Sequence, residues 1–157
     1  EKALKALELM GLSGKEKENP YDLDLHERKM VAIASVLAMD TEVIILDEPT
    51  AGQDFHHYTE IMEFLRTLNH RGVTVVMITH DMHLMLEYTP RALVFSDGQL
   101  IADRSAAAVL CDQSLITQAA LKETSLFTLA NRCGITPPEA FVERFIEEDR
   151  EVRDNGR

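Results

Sequence analysis

The sequence is short of three things: long apolar runs, cysteine and positive charge. Its longest apolar stretches are VAIASVLAM (Val31–Met39) and VIIL (Val43–Leu46), far below the roughly 20 residues that a membrane-spanning helix needs. The start has no charged-then-apolar pattern of a signal peptide. It opens at Glu1 rather than methionine, as expected of a piece excised from a longer protein. Cys111 and Cys133 are the two cysteines, in no paired or metal-ligand spacing, which fits a reducing, cytosolic setting. The 27 Asp and Glu outnumber the 16 Lys and Arg, giving a net charge of -11. A nucleic-acid partner calls for a concentrated basic surface, and the sequence offers none. Internal repeats and low-complexity tracts are also missing.

What is there suits one domain, or one domain with a small appendage: 157 residues, 45% of them hydrophobic, enough for a real core. Ala3, Leu4 and Leu7 have helical spacing, with Gly11 as the stop, and residues 13–22 form a polar loop around Asn19-Pro20. Asp24 with Glu27 three positions on can cap a helix bearing Met30, Ile33 and Leu37. Val43–Leu46 and Val73–Thr79 read as strands buried on both faces. A helix over about residues 55–70, with Ile61, Phe64, Leu65 and Leu68 on one face, joins them as a parallel β-α-β unit. A short helix with Leu84, Met85 and Tyr88 ends by Pro90, and Asp97-Gly98 predicts a hairpin between Ala92–Phe95 and Leu100–Ala102. From Ser105 onward short helices are expected. The last opens at Thr136-Pro137-Pro138-Glu139 with a stripe of Phe141, Val142, Phe145 and Ile146. Residues 147–157 are expected to fray.

The chemistry concentrates after the two strands. Asp47 and Glu48 follow Val43–Leu46 directly, at the carboxyl edge of a parallel sheet, where open α/β proteins place ligands. Strand alternation points the two carboxylates apart. One can then hold a hard cation through its water shell while the other polarises an attacking water. A lone Asp after a strand is as readily a turn or helix cap, but the string LDEPTAGQD is far more specific. His80 follows the second strand as Asp47 follows the first, so the two are expected on one sheet edge. A neutral imidazole there can donate to a phosphate or orient water.

These strings carry a resemblance. VIILDEPT resembles the Walker B strand of ATP-binding-cassette (ABC) ATPases, AGQD (Ala51–Asp54) their D-loop, TVVMITHD their switch strand with its histidine, and RALVFSDGQLIAD their closing hairpin. The match spans roughly residues 20–105. It implies an α/β fold, the C-terminal part of a P-loop NTPase domain over residues 1–104 with a helical C-terminal extension over 105–157. It further implies ATP and Mg²⁺ as ligands, Asp47 on the metal, Glu48 as catalytic base, His80 on the γ-phosphate and Asp54 across a dimer. Asn19-Pro20-Tyr21-Asp22-Leu23, AIASVLAMD and AGQD resemble most the energy-coupling-factor type, which imports vitamins and metal ions. The implied partners are a second ATPase domain, transmembrane subunits and a substrate-binding membrane component, at the cytoplasmic face of the membrane.

Two departures matter. A phosphate-cradling G-x-x-x-x-G-K-[ST] loop is missing. Its nearest imitation, Gly11-Leu12-Ser13-Gly14-Lys15-Glu16, has the wrong spacing and follows a helix. The loop belongs upstream in the family, so this chain alone is expected to be inactive. The signature stretch, usually Leu-Ser-Gly-Gly-Gln-like, reads Leu23-Asp24-Leu25-His26-Glu27-Arg28-Lys29. In the family these residues approach the partner's γ-phosphate. Asp24 adds negative charge there, and Leu25 and His26 add bulk, so one weakened site in an asymmetric pair is expected.

Other readings are a soluble ABC protein of DNA repair or ribosomes, and a non-catalytic dimerisation module. An open sheet lacking its first strands exposes hydrophobic edges, across which a homodimer of this chain can form. His80 and His83 have the spacing of a metal pair but lack further ligands. His56-His57 read as a solvated helix start, Met82 and Met85 as core filler, and Glu143, Glu147, Glu148 and Asp149 as a solvated face.

Overall fold

The structure, a computed structural model, describes residues 1–155. Its contacts divide it into two units, Glu1–Thr79 and the residues from His80 onward.

In the first unit α1 (Lys2–Leu9) ends where Gly11 takes a φ of +69°, a conformation that costs glycine nothing. A polar loop leads to α2 (Leu25–Leu37), which packs on α1. The Asp24 carboxylate accepts from Glu27 N at 2.8 Å, and Glu27 Oε2 accepts from Asp24 N at 3.1 Å, so the capping box is closed in both directions. Then follow β1 (Val43–Asp47), α3 (Phe55–His70) and β2 (Thr74–Ile78). The strands pair in parallel from Val43↔Thr74 to Asp47↔Ile78, and α3 packs on β2. Ile44, Ile61, Met62, Leu65 and Leu68 are buried, as are Met30 and Ile33 of α2.

The strands are not buried on both faces. Ile44 is 1% exposed, but Val43, Ile45, Val76 and Ile78 are 51%, 68%, 42% and 57% exposed. By register, Ile45 stands level with Val76, and Asp47 with Ile78. The apolar composition is that of a doubly covered strand, but a helix packed on one side of two strands covers one face only.

The second unit begins with α4 (Met82–Tyr88) and the hairpin β3 (Ala92–Ser96) and β4 (Gln99–Arg104). Asp97 at φ +50° and Gly98 at φ +75° make its turn, the two left-handed residues that a tight antiparallel hairpin favours. Four helices follow: α5 (Ala106–Leu110), α6 (Gln113–Gln118), α7 (Ser125–Arg132) and α8 (Pro138–Asn155). Helix α5 serves two clusters. Ala106, Ala107 and Leu110 join Met82, Leu86 and Val142, while Val109 joins Ala92, Val94, Ala102 and Leu115. Met82 is therefore core, with Met85 packed beside it.

The expected fraying from residue 147 does not occur within the described residues, because α8 stays helical to Asn155. Arg144 pairs with Glu147 and Glu148, and Arg153 bridges Asp149 at 3.1 Å and Glu87 of α4 at 2.5 Å. Spacings of three and four residues put such pairs on one helix face, and the Glu87 contact ties the last turns to α4. Residues 156 and 157 of that expectation lie outside the described part. No described helix is long and apolar enough to cross a membrane.

Candidate functional site

The parallel ladder ends in the acid pair. Asp47 is the last residue of β1 and exposed, while Glu48 is half-buried. Glu48 N donates to Ile78 O at 2.9 Å, which carries the ladder one residue past the strand. Glu48 then takes a φ of +46°. For a residue with a Cβ this costs on the order of 1 kcal/mol, and it turns the carboxylate back toward β2. There Thr79 Oγ1 donates to Glu48 Oε2 at 3.2 Å. The register thus sets Ile78 level with Asp47, and the Thr79 hydroxyl reaches the second acid. His80 opens the second unit in the short connection before α4.

The loop after the acids is held from α2. Lys29 Nζ donates to Pro49 O at 3.0 Å and also to Ala51 O. Burial lowers the Lys29 pKa, and the negative charge of Glu48 acts against that shift. Gly52 has a φ of +73°, and a Cβ there would stand 3.5 Å from Leu25 Cδ2. Thr79 and Lys29 were not singled out by sequence reasoning. Their signal was positional: one residue past a strand end, and one helical turn past a cap.

Two capping aspartates close the segment. Asp24 caps α2, and its pKa is lowered chiefly by the Glu27 backbone N–H. Glu27 is further bound to Lys15. Asp54 caps α3, accepting from His57 N at 3.0 Å, and its second oxygen meets His57 Nδ1 at 2.8 Å. His57 is thus engaged rather than merely solvated. Its ring stacks on His26 at 4.2 Å between centroids. Asp24, Leu25, His26 and Glu27 therefore gather at the start of α2, beside the loop that carries Gly52 and Asp54.

What can such an arrangement hold? Magnesium keeps several waters and takes one or two carboxylates, so the exposed Asp47 at the sheet edge fits that role. Phosphate cradling is different. In the imitation loop, Gly14 N already donates to Glu16 Oε1 at 3.0 Å. That amide is satisfied by the chain's own carboxylate, where a phosphate-binding loop presents free N–H groups.

Comparison with known proteins bears on this geometry. No protein-family model matches the chain. It is 60% identical over 131 residues to a protein of Enterococcus faecalis provisionally named an ABC transporter ATP-binding protein. That match covers 83% of this chain and 23% of the relative, so the chain spans about a quarter of the relative's length. Among solved structures, it is 30% identical to CbiO1 of Clostridium perfringens, part of the ABC transporter complex CbiONQ, with a TM-score of 0.65 over 83% of this chain and 52% of that one. A dimeric ATP-binding cassette bound to ADP and Pi is also 30% identical, with a TM-score of 0.59 over 67% of this chain and 46% of that one.

Proposed function

We propose, from the premise that this chain is related over most of its length to ABC transporter ATP-binding proteins, that it supplies the hydrolytic edge of a transport-coupled ATPase. The observation that carries the reading is the acid pair at the end of a parallel strand, with Glu48 turned onto Thr79 and Asp47 left open to water. Glu48 takes the proton of the attacking water as the water's oxygen bonds to the γ-phosphorus and ADP leaves. Thr79 orients the carboxylate. Bound magnesium, on the Asp47 side, supplies charge neutralisation at the phosphates. His80 serves the γ-phosphate, and Asp54 reaches the opposing domain.

The finer reading is an importer of the energy-coupling-factor type, supported by the likeness to CbiO1 and by the motif variants. Its partners are a second ATPase domain and membrane subunits, which place it at the cytoplasmic membrane face. Residues 1–104 belong to the ATPase domain, and residues 105–157 to a C-terminal extension. The phosphate loop comes from residues outside this chain. ATPase assay of a protein of the relatives' length, in its assembled complex, tests the proposal. Glu48→Gln abolishes turnover while nucleotide binding persists, and unchanged turnover overturns it. The 157-residue chain alone shows no hydrolysis.

A second reading, a non-catalytic dimerisation module, draws on Asp24. Its carboxylate occupies the N-terminus of α2, where the family's helix end meets the partner's phosphate. This reading predicts no loss of turnover on Glu48→Gln in the assembled complex.

A further inference from the structure

His26, His57 and Glu60 bring one donor atom each to within 4.8 Å of one another. We propose that they form a binding site for a divalent transition-metal ion of the zinc class, bridging the first turn of α2 and the first two turns of α3. The proposal uses neither Asp47, Glu48 nor His80, and it shares only His26 and Asp54 with the segments that the ATPase reading turns toward an opposing domain.

Each ligand has a reason to be there. Glu60 Oε2 lies 3.4 Å from His26 Nε2 and 3.6 Å from His56 Nδ1, so two imidazoles already converge on one carboxylate oxygen. His26 has only 15% of its side chain exposed, and its Nδ1 is buried without a hydrogen-bond partner. Nε2 is therefore the nitrogen that this ring can offer. His57 has Asp54 Oδ2 at 2.8 Å from Nδ1. A carboxylate on the far nitrogen of a ligating histidine fixes its tautomer and raises its basicity. Asp54 is thus a positioning residue, and Nε2 of His57 carries the free lone pair.

The chemistry selects the ion. Two imidazoles and one carboxylate are a borderline-soft donor set, suited to zinc and poorly suited to magnesium or calcium, which want oxygen. Three protein ligands leave a fourth position to water. Donors around tetrahedral zinc sit about 3.3 Å apart, so the cluster must contract. Glu60, with 49% of its side chain exposed, has the freedom to do so. With the ion on Nε2, the single proton of the neutral His26 ring sits on Nδ1, and the contact between His26 Nε2 and Glu60 is exchanged for a bond from each to the metal. The unpartnered Nδ1 of His26 makes this site weaker than a structural zinc site.

The test uses the 157-residue chain, titrated with Zn²⁺ by calorimetry and with Co²⁺ by visible absorption. The expected result is one equivalent bound, with the intense visible bands of tetrahedral cobalt. His57→Asn and Glu60→Gln should each weaken binding by roughly 10–100-fold or more. Asp54→Asn should weaken it within that range while keeping the helix cap. His70→Asn, at the other end of α3, should leave it unchanged. Circular dichroism confirms that each variant is folded, and Glu60→Gln, on an exposed position, keeps the test open should His57→Asn unfold. Zinc binding that is equally strong in Glu60→Gln and wild type, or no stoichiometric binding at all, overturns the proposal.

Discussion

Thr79 Oγ1 donates to Glu48 Oε2 at 3.2 Å, so the residue that ends the second strand's neighbourhood grips the acid that follows the first. The contact follows from register. Asp47 is paired with Ile78, and the next residue on each strand meets the other. In an assembled ATPase of the relatives' length, Thr79→Val should lower kcat about tenfold with little change in KM, the size of one hydrogen bond to a charged group. Thr79→Ser should restore most of it. An unchanged kcat in Thr79→Val would show that the hydroxyl does not orient the base.

Much of this was legible beforehand. The parallel pair, the Asp97-Gly98 turn and the Asp24–Glu27 box follow from local rules, because β-branched runs, turn residues and caps act over a few positions. The positive φ of Glu48 was not legible, because it comes from the chain leaving the sheet while still bonded to Ile78. Nor was the stack of His26 on His57, since 31 positions of sequence separate them and only the meeting of the two helix starts unites them. The bare face of β1 and β2 was misread because composition reports what a strand is built to bury, and this chain covers one face.

Asp24 carries two roles that can be separated. Asp24→Ala removes the cap and should lower stability, read as a lower midpoint in thermal or urea unfolding. Asp24→Ser keeps a capping oxygen and removes the charge. Stability should then hold, while turnover of the assembled ATPase rises if the aspartate weakens one composite site. A serine variant with wild-type turnover would remove the asymmetric-site idea and leave the cap as the whole explanation.

Arg91 Nε and Nη2 each meet an Asp103 oxygen at 2.7 Å, across the hairpin. The guanidinium holds the Asp103 pKa below the usual carboxylate value. A depressed folded pKa means that the stabilisation is present above the unfolded value, about 3.9, and fades as pH falls through the folded one. Wild type and Asp103→Asn should therefore differ in Tm at neutral pH and converge under acid. Both groups are exposed, so the difference should be small and should shrink in high salt. A gap that persists at low pH would assign it to packing instead.

The two cysteines should react at very different rates. Burial, with Glu139 and Glu143 nearby, pushes the Cys111 thiol up to about 11, so at pH 8 only about one molecule in a thousand carries its thiolate. Cys133 is exposed. Limiting iodoacetamide followed by peptide mass mapping should label Cys133 first. Cys111 should follow only after urea unfolds the chain, and equal labelling in the native state would contradict its burial.

The bare strand face yields a prediction with opposite signs in two settings. Ile45, Val76 and Ile78 are exposed in this chain, and contiguous exposed apolar area favours self-association. Ile45→Thr in the 157-residue chain should leave its unfolding midpoint nearly unchanged, while lowering dye binding and the dimer fraction in analytical ultracentrifugation. In a protein of the relatives' length, where further residues would cover that face, the same substitution removes a methyl group from a core and buries a hydroxyl. It should then cost about 2 kcal/mol. If the longer protein tolerates Ile45→Thr as well as the chain does, this face is solvent-facing in both, and the strands owe their apolar composition to something other than a second layer.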